Sequence, residues 1–460
     1  MKDTIAAICT ALSPSGIGKI RVSGSEAVEI VDKIFKSPGK NKLSESDTHT
    51  IHYGHIYNGK DVIDEVLVLL MKAPRTYTRE DVVEIDCHGG LYVLKQVLNL
   101  LIDNGCRIAE PGEFTKRAFL NGRIDLTEAE AVMDLISSKS EMSLKNSVSI
   151  LNGSLYKKIS SIRSDVLYFI AKIEASLDDP EHMSLDGYEE ELKEKLITIN
   201  KDINYLIKSY DNGKIIKEGI NTAIVGKPNV GKSSILNMIL DEERAIVTDI
   251  AGTTRDTLEE TVVLNGVTLN LIDTAGIHET KDSVEKIGIE RSINSISKAD
   301  LVIYIVDSSR ELDDSDREII SLINNKKTIC LVNKSDLNKV TDKEDIIKCF
   351  NNCELPLFVE TSALLGTGKE QFISILSDMF FDGKISFNDE VMISNLRQIN
   401  SLKESYESIN RVIDSIDNEM PEDFLSIDLL SAYASLGEII GEEVSDDLVD
   451  KIFSEFCMGK

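Results

Sequence analysis

The chain has 460 residues, with 51 Lys and Arg against 79 Asp and Glu, a formal net charge of −28 and 42% apolar residues. Its length suits about three domains, and a mean hydropathy of −0.09, with no apolar run near the ~18 residues of a span, excludes a membrane-spanning helix. So acidic a surface repels phosphate backbones, which excludes a broadly basic nucleic-acid-binding protein; a nucleic-acid substrate would need a local basic patch or a second protein.

The opening Met1-Lys2-Asp3-Thr4-Ile5 lacks the apolar stretch of a signal peptide, and seven scattered cysteines suit a reducing compartment. The expected location is therefore cytoplasmic. Residues 1–118 alternate β-like runs with turns: Ile63–Met71 and Val82–Ile85 are apolar-rich, and Gly89-Gly90 precedes a helical stretch over Leu91–Ile102. This is an α+β domain. Residues 119–216 read as helical, with Leu126, Ala129, Val132, Met133 and Ile136 at helix spacing and Thr127 as candidate N-cap. Ile159, Ile162, Val166, Phe169, Ile170 and Ile173 repeat that spacing until Asp178-Asp179-Pro180 breaks it.

Residues 217–380 alternate strand and helix. Thr222–Val225, Val267–Ile272, Leu301–Val306, Thr328–Val332 and Leu357–Val359 are buried-strand candidates, and Asn265-Gly266 is a hairpin turn. The expectation is a multidomain α/β protein whose mostly parallel, doubly wound sheet does phosphate chemistry at its carboxyl edge. Residues 381–460 are helical again, with one apolar face through Leu429, Leu430, Tyr433, Leu436, Ile439 and Ile440 and another through Leu448, Ile452, Phe453 and Phe456. Neither helical segment closes a core alone, so the two form one discontinuous all-α domain into which the α/β domain is inserted.

Gly226-Lys227-Pro228-Asn229-Val230-Gly231-Lys232-Ser233 has the form of a phosphate-binding loop, with Ser234 following. Its glycines let backbone N–H groups wrap a phosphate at a helix N-terminus. Lys232 faces the β/γ oxygens and Ser233 places a hydroxyl on Mg²⁺. Three signatures follow in order: Asp273-Thr274-Ala275-Gly276, Asn333-Lys334-Ser335-Asp336 and Ser362-Ala363. Asp273 is placed to hold a Mg²⁺-bound water and Gly276 to offer its N–H to the γ-phosphate. The Asp336 carboxylate can accept the N1 and N2 hydrogens of guanine, a pair that adenine lacks, while Asn333 supports the base and Ser362-Ala363 reach guanine O6. Together the set points to GTP. Ile277 stands where many GTPases carry a water-orienting Gln, and no segment reads as an arginine finger.

With Thr248-Asp249-Ile250-Ala251-Gly252-Thr253-Thr254-Arg255-Asp256 added, the whole chain resembles the MnmE (TrmE) family of tRNA wobble-uridine modification GTPases. Ile20-Arg21-Val22-Ser23-Gly24, Glu84-Ile85-Asp86-Cys87-His88-Gly89-Gly90, the run from Pro111 to Asn121 and the terminal Cys457-Met458-Gly459-Lys460 carry the likeness. The resemblance implies a K⁺ ion in place of the finger, held by Asn229, Thr248, Ile250 and Thr253. It implies Thr254 beside Ser233 on Mg²⁺, and Glu285 orienting the attacking water through a bridging water. The N-terminal domain resembles tetrahydrofolate-binding folds, with Arg21, Glu84, Arg123 and Lys460 at the matching contacts for 5,10-methylenetetrahydrofolate or 5-formyltetrahydrofolate; position 123 is usually Lys in the family. That domain is also the implied homodimer contact. Cys457 reads either as a nucleophile or as packing between Phe456 and Met458.

The implied reaction adds an aminomethyl or carboxymethylaminomethyl group to carbon 5 of the uridine. No Gly-x-Gly-x-x-Gly fingerprint supplies the redox cofactor, so an FAD-dependent partner, MnmG (GidA) in this family, is implied alongside tRNA. Two other classes remain: a regulatory GTPase switch and a ribosome-assembly GTPase. The first needs neither a folate-like domain nor a Cys-x-Gly-Lys tail, and the second usually carries a basic RNA-binding appendage. His49, His52 and His55, and Cys349 with Cys353, read as ordinary surface or packing residues rather than metal ligands.

Overall fold

The structure, a computed structural model, describes residues 3–39, 42–178, 188–240, 260–272, 295–350, 355–381 and 391–459. It contains two compact units, one of Met1–Met133, Ile150–Ile199 and Glu404–Lys460, the other of Asp134–Ser149 and Asn200–Lys403.

The first unit holds a seven-stranded sheet of β1 (Ile5–Ile8), β2 (Ser15–Ser23), β3 (Phe35–Lys36), β4 (Thr50–Asn58), β5 (Asp61–Met71), β6 (Val82–Gly89) and β7 (Arg107–Ile108), ordered β3-β4-β5-β6-β2-β1-β7. Period-two alternation sets its faces. In β5, Val66, Val68 and Leu70 are buried while Glu65 and Leu67 are exposed. The helices Ala27–Ile34 and Leu91–Asp103 cover the buried face with Ile30, Val31, Ile34, Leu94, Val97 and Leu101. Each such side chain contributes roughly 1.5–3 kcal/mol by leaving water. His52 and His55 lie three apart on β4, hence on opposite faces.

A smaller core of Ile5, Ala7, Ala109 and Phe114 seats the helix Glu113–Leu120. Ion pairs fix it there. Arg117, 1% exposed, lies 3.0 Å from Asp3, 3.2 Å from Glu80 and 2.9 Å from Glu113. Arg107 joins Asp3 at 2.7 Å and Glu113 at 2.6 Å. The hydrogen bond from Arg107 holds the Asp3 carboxyl below its ordinary range. Burial pushes Glu113 upward, but the bonds from Arg107 and Arg117 outweigh it and hold it low as well. A carboxyl depressed in the fold stabilises it above the unfolded pKa, about 4, and that stabilisation is lost as pH falls through the lower folded value. The melting temperature of this unit is therefore expected to drop below pH 4, with a shallower drop in Glu113→Gln. Calorimetry across pH 3–7 checks this, and a midpoint that rises on acidification would contradict it.

Two sequence expectations are corrected here. The helix Leu126–Ser137 is capped by Asp125, not Thr127. The Asp125 carboxylate accepts from the N–H groups of Thr127 at 2.6 Å and Glu128 at 3.2 Å, and Glu128 accepts from the Asp125 N–H at 3.0 Å. That reciprocal capping box places Thr127 inside the first turn. Leu430 is 45% exposed while Leu425, Leu429, Ala432 and Leu436 of the helix Glu422–Ile440 are buried. At 3.6 residues per turn it sits about 100° round the helix from Leu429. The face through Ile159, Ile162, Val166, Phe169, Ile170 and Ile173 of the helix Ser154–Asp178 is buried as its spacing predicts. In the same helix Arg163 stacks 3.9 Å from the Tyr433 ring centre and pairs with Glu442.

The second unit carries a six-stranded sheet of β8 (Ile220–Val225), β9 (Glu260–Leu264), β10 (Val267–Ile272), β11 (Leu301–Asp307), β12 (Thr328–Asn333) and β13 (Leu357–Glu360), ordered β13-β12-β11-β8-β10-β9. All neighbours are parallel except β9 and β10, whose hairpin turns at Asn265-Gly266 with φ of 46° and 84°. Every residue of β11 is buried, as a central parallel strand covered on both faces requires. The fold is thus multidomain α/β with an α+β N-terminal sheet, helices and a doubly wound parallel sheet.

Candidate nucleotide site and candidate folate site

The carboxyl ends of β8, β12 and β13 bring three sequence motifs together. β8 runs into the phosphate loop and then the helix Lys232–Leu240. Two glycines make that path feasible. Gly226 has φ of 154°, and an added Cβ would lie 2.5 Å from the Ile305 carbonyl oxygen; Gly231 has φ of 102°, and its Cβ would lie 2.3 Å from Asn333 Nδ2. Asn229 also sits in the left-handed region, at φ of 64°, which Asn tolerates better than most residues. Lys232 Nζ donates to the carbonyls of Gly226 at 2.7 Å and Lys227 at 3.0 Å, and burial lowers its pKa. The loop holds a desolvated cation at the start of a helix, a setting that fits phosphate oxygens.

Asn333 ties the site together. Its Nδ2 donates to the Val230 carbonyl at 2.8 Å, and its Oδ1 accepts from the Ala363 N–H at 3.2 Å. One buried amide thus joins the phosphate loop to the Ser362-Ala363 loop. The Ser362 hydroxyl donates to Asp336 Oδ1 at 2.5 Å, which orients the carboxylate proposed for guanine. Lys334, at φ of 63°, pairs with Asp307 at 2.6 Å. Burial pushes Asp307 upward, yet Lys334 and Ser309 hold it below its ordinary value. Asp307 and Thr361, whose hydroxyl lies 3.4 Å from Asn333 Oδ1, belong to no nucleotide motif and were missed from sequence. Ser234 lines the groove between the helix Lys232–Leu240 and the loop at Ala363–Thr367. Thr248, Asp249, Ile250, Ala251, Gly252, Thr253, Thr254, Asp273, Thr274, Ala275, Gly276 and Glu285 lie outside the described residues, as does Lys460.

A second constellation stands on the outer face of the seven-stranded sheet. Arg21 and Glu84 are register partners on β2 and β6, with Arg21 Nε 2.9 Å from Glu84 Oε1. Lys19 Nζ takes the other carboxylate oxygen at 2.5 Å. Burial pushes Glu84 upward, but Lys19 and Arg21 hold it low, so the site keeps an ionised carboxylate. The Arg21 guanidinium lies 5.2 Å from the Tyr77 ring centre and 5.5 Å from that of Phe114, and Arg123 lies 4.8 Å from Tyr77. Two of the four residues assigned to folate, Arg21 and Arg123, therefore meet around one aromatic ring, and Glu84 is bonded to the first of them. Sequence reasoning missed Tyr77 and Lys19; only the fold brings the loop at Tyr77 beside β2 and residue 123. The chain's end reaches the same unit. The Cys9 thiol lies 3.2 Å from the Gly459 carbonyl, the Gly112 N–H donates to the Cys457 carbonyl at 3.3 Å, and Cys457 is exposed.

A parallel sheet with a glycine-built phosphate loop on its first strand and an Asn-Lys-x-Asp turn on a later one defines a P-loop nucleotide-binding protein of the guanine-reading kind. The family model described as the MnmE helical domain matches residues 126–457, and that described as GTP-binding protein TrmE N-terminus matches residues 4–123. The tRNA modification GTPase MnmE of Lachnoclostridium phytofermentans is 54% identical over 459 residues, covering 100% of this chain and 99% of its own. Those of Ligilactobacillus salivarius and Acetivibrio thermocellus are each 47% identical, covering 100% of this chain and 98% and 99% of theirs. This chain belongs to the MnmE family.

Proposed function

We propose that this chain is a K⁺-dependent GTPase that works with an FAD-dependent subunit of the MnmG (GidA) kind. Together they add an aminomethyl or carboxymethylaminomethyl group to carbon 5 of the tRNA wobble uridine, drawing one carbon from methylenetetrahydrofolate. The observation that carries the GTP half is that Asn333 joins the phosphate loop to the Ser362-Ala363 loop, whose Ser362 in turn bonds Asp336. Kinship over the whole chain with relatives named tRNA modification GTPase carries the rest.

In this reading Lys232 leaves its own loop carbonyls for the β/γ-phosphate oxygens, and the amides from Asn229 to Ser234 close round them. Ser233 and Thr254 hold Mg²⁺; Asn229, Thr248, Ile250 and Thr253 hold K⁺. When bound, the two ions neutralise charge that builds on the phosphates. Glu285 orients the attacking water. Arg21, Glu84, Arg123 and Lys460 bind the folate, and Cys457, exposed at the tail, stands as the candidate nucleophile. The domain division at 118, 216 and 380 is part of the same proposal. Exposed Ile51, Tyr53 and Leu67 form an apolar patch across β4 and β5 that supports a homodimer through the N-terminal sheet. The acidic surface favours leaving much of the tRNA grip to the partner subunit, and cytoplasm remains the proposed location.

Asp336→Asn tests the base assignment. An amide in place of the carboxylate loses the acceptor for guanine N1 and N2 but can donate to a carbonyl at C2, as in xanthine. GTP affinity is expected to fall about 10²-fold, consistent with losing charge-assisted bonds worth about 3 kcal/mol, while xanthosine triphosphate binding rises. Titration with both nucleotides decides it; unchanged GTP preference would remove Asp336 from base recognition.

A further inference from the structure

In so acidic a chain, arginines without a carboxylate partner are informative. Acidic residues outnumber Lys and Arg 79 to 51. Most arginines of the first unit are answered: Arg21 by Glu84, Arg107 and Arg117 by Asp3 and Glu113, Arg163 by Glu442, Arg411 by Asp428. Arg75, Arg79 and Arg123 differ: all three are exposed, and among the described residues none forms an ion pair, the Arg123 charge acting on Glu128 only from beyond ion-pair distance. Arg79 and Arg123 alone of the three meet at one loop, residues 121–123.

Both are tied to the segment Asn121–Arg123. Arg79, at φ of 60°, donates from Nη1 to the Asn121 carbonyl at 2.9 Å, and Asn121 Nδ2 returns a bond to the Thr78 carbonyl at 2.6 Å. The Cβ position of Gly122 lies 3.5 Å from Arg79 Nη1. Arg123 follows directly and rests on Tyr77, whose ring also carries Arg21, itself bonded to Glu84. Tyr77 is fixed in turn by its hydroxyl, 2.9 Å from the Thr115 Oγ1. Contacts thus run from a desolvated carboxylate through Arg21 and Tyr77 to the exposed Arg123, with Arg79 anchored two residues away on the Asn121 carbonyl.

We infer that Arg79, with Arg123, grips the γ-linked glutamate carboxylates of a polyglutamylated folate whose heterocycle lies at Glu84. This rests on the folate reading above and extends it to a residue and a ligand form outside that reading. The chemistry selects the ligand class. Glu84 calls for neutral N–H donors at one end, and the paired arginines call for carboxylates at the other, since guanidinium forks match carboxylates bidentately. A phosphate backbone offers no N–H donors at the Glu84 end, and the surrounding negative charge repels it.

Isothermal titration of the full-length protein with 5-formyltetrahydrofolate carrying one or five glutamates tests this. The wild type is expected to bind the five-glutamate form about 10-fold more tightly, the scale of one charge-assisted contact. Arg79→Gln keeps a donor for the Asn121 carbonyl but removes the charge, and should bring the two forms within about 2-fold. Arg79→Lys should retain a preference of about 3-fold. No chain-length preference in the wild type, an undiminished preference in Arg79→Gln, or a loss in Arg79→Lys as complete as in Arg79→Gln would each overturn the assignment. So would a weakened tRNA affinity in Arg79→Gln with the folate preference intact. Glu84→Gln separates the two levels. It should lose both forms, and wild-type binding of both by Glu84→Gln would defeat the folate reading itself.

Discussion

Asn229→Ala is expected to abolish the stimulation of GTP hydrolysis by K⁺ over Na⁺, lowering turnover in K⁺ by about 10² or more. An arginine finger contributes about 10³–10⁵ in comparable chemistry, and removing one ligand of the K⁺ proposed to replace it forfeits much of that range. Ile277 leaves no Gln to share the task. Asn229 holds a left-handed backbone at φ of 64°, so alanine also strains the loop by about 1 kcal/mol. Asn229→Gly separates the two effects, because glycine accepts that conformation but offers no side-chain oxygen. Steady-state rates in KCl and NaCl should show both variants insensitive to the cation. A glycine variant that keeps the K⁺ preference would remove Asn229 from the ion's ligands.

Arg117→Met is expected to cost the first unit about 3–5 kcal/mol, because it takes the cation from half-buried Glu80 and leaves buried Glu113 with Arg107 alone. Glu113 is 4% exposed, and Glu80 and Asp3 bond the same guanidinium. That loss corresponds to a fall of about 10 °C in melting temperature for a unit of this size. Urea titration followed by circular dichroism measures it. Adding Glu113→Gln should recover part of the loss, since the two residues act as one network. A loss below 1 kcal/mol, or a double variant less stable than Arg117→Met alone, would show that the pairing does not stabilise the fold.

The candidate nucleotide site was legible in the sequence because phosphate and base chemistry constrains neighbouring residues. A phosphate loop must be built from one turn, so Gly226, Gly231, Lys232 and Ser233 are written close together. Asn333 and Asp336 sit three apart for the same reason. The sheet that assembles them was also legible, since buried parallel strands such as Leu301–Asp307 leave unbroken apolar runs. What could not be read were contacts made by folding alone. Tyr77 gathers Arg21 and Arg123 from positions 56 and 46 residues away in the chain. Asp3 reaches Arg117 across 114 residues. Neither leaves a local pattern. The folate assignment to Arg21, Glu84 and Arg123 came from resemblance, and the aromatic ring that groups two of them emerged only in three dimensions. Thr127 shows a different limit. Asp125-x-x-Glu128 competes for the same cap, and only the hydrogen bonds decide between them.

Mass spectrometry of nucleosides in total tRNA from cells lacking this chain tests the proposed function most directly. The proposal predicts loss of uridine carrying an aminomethyl or carboxymethylaminomethyl group at carbon 5, restored when the wild-type chain is returned. An unchanged level of those nucleosides without the chain would contradict it.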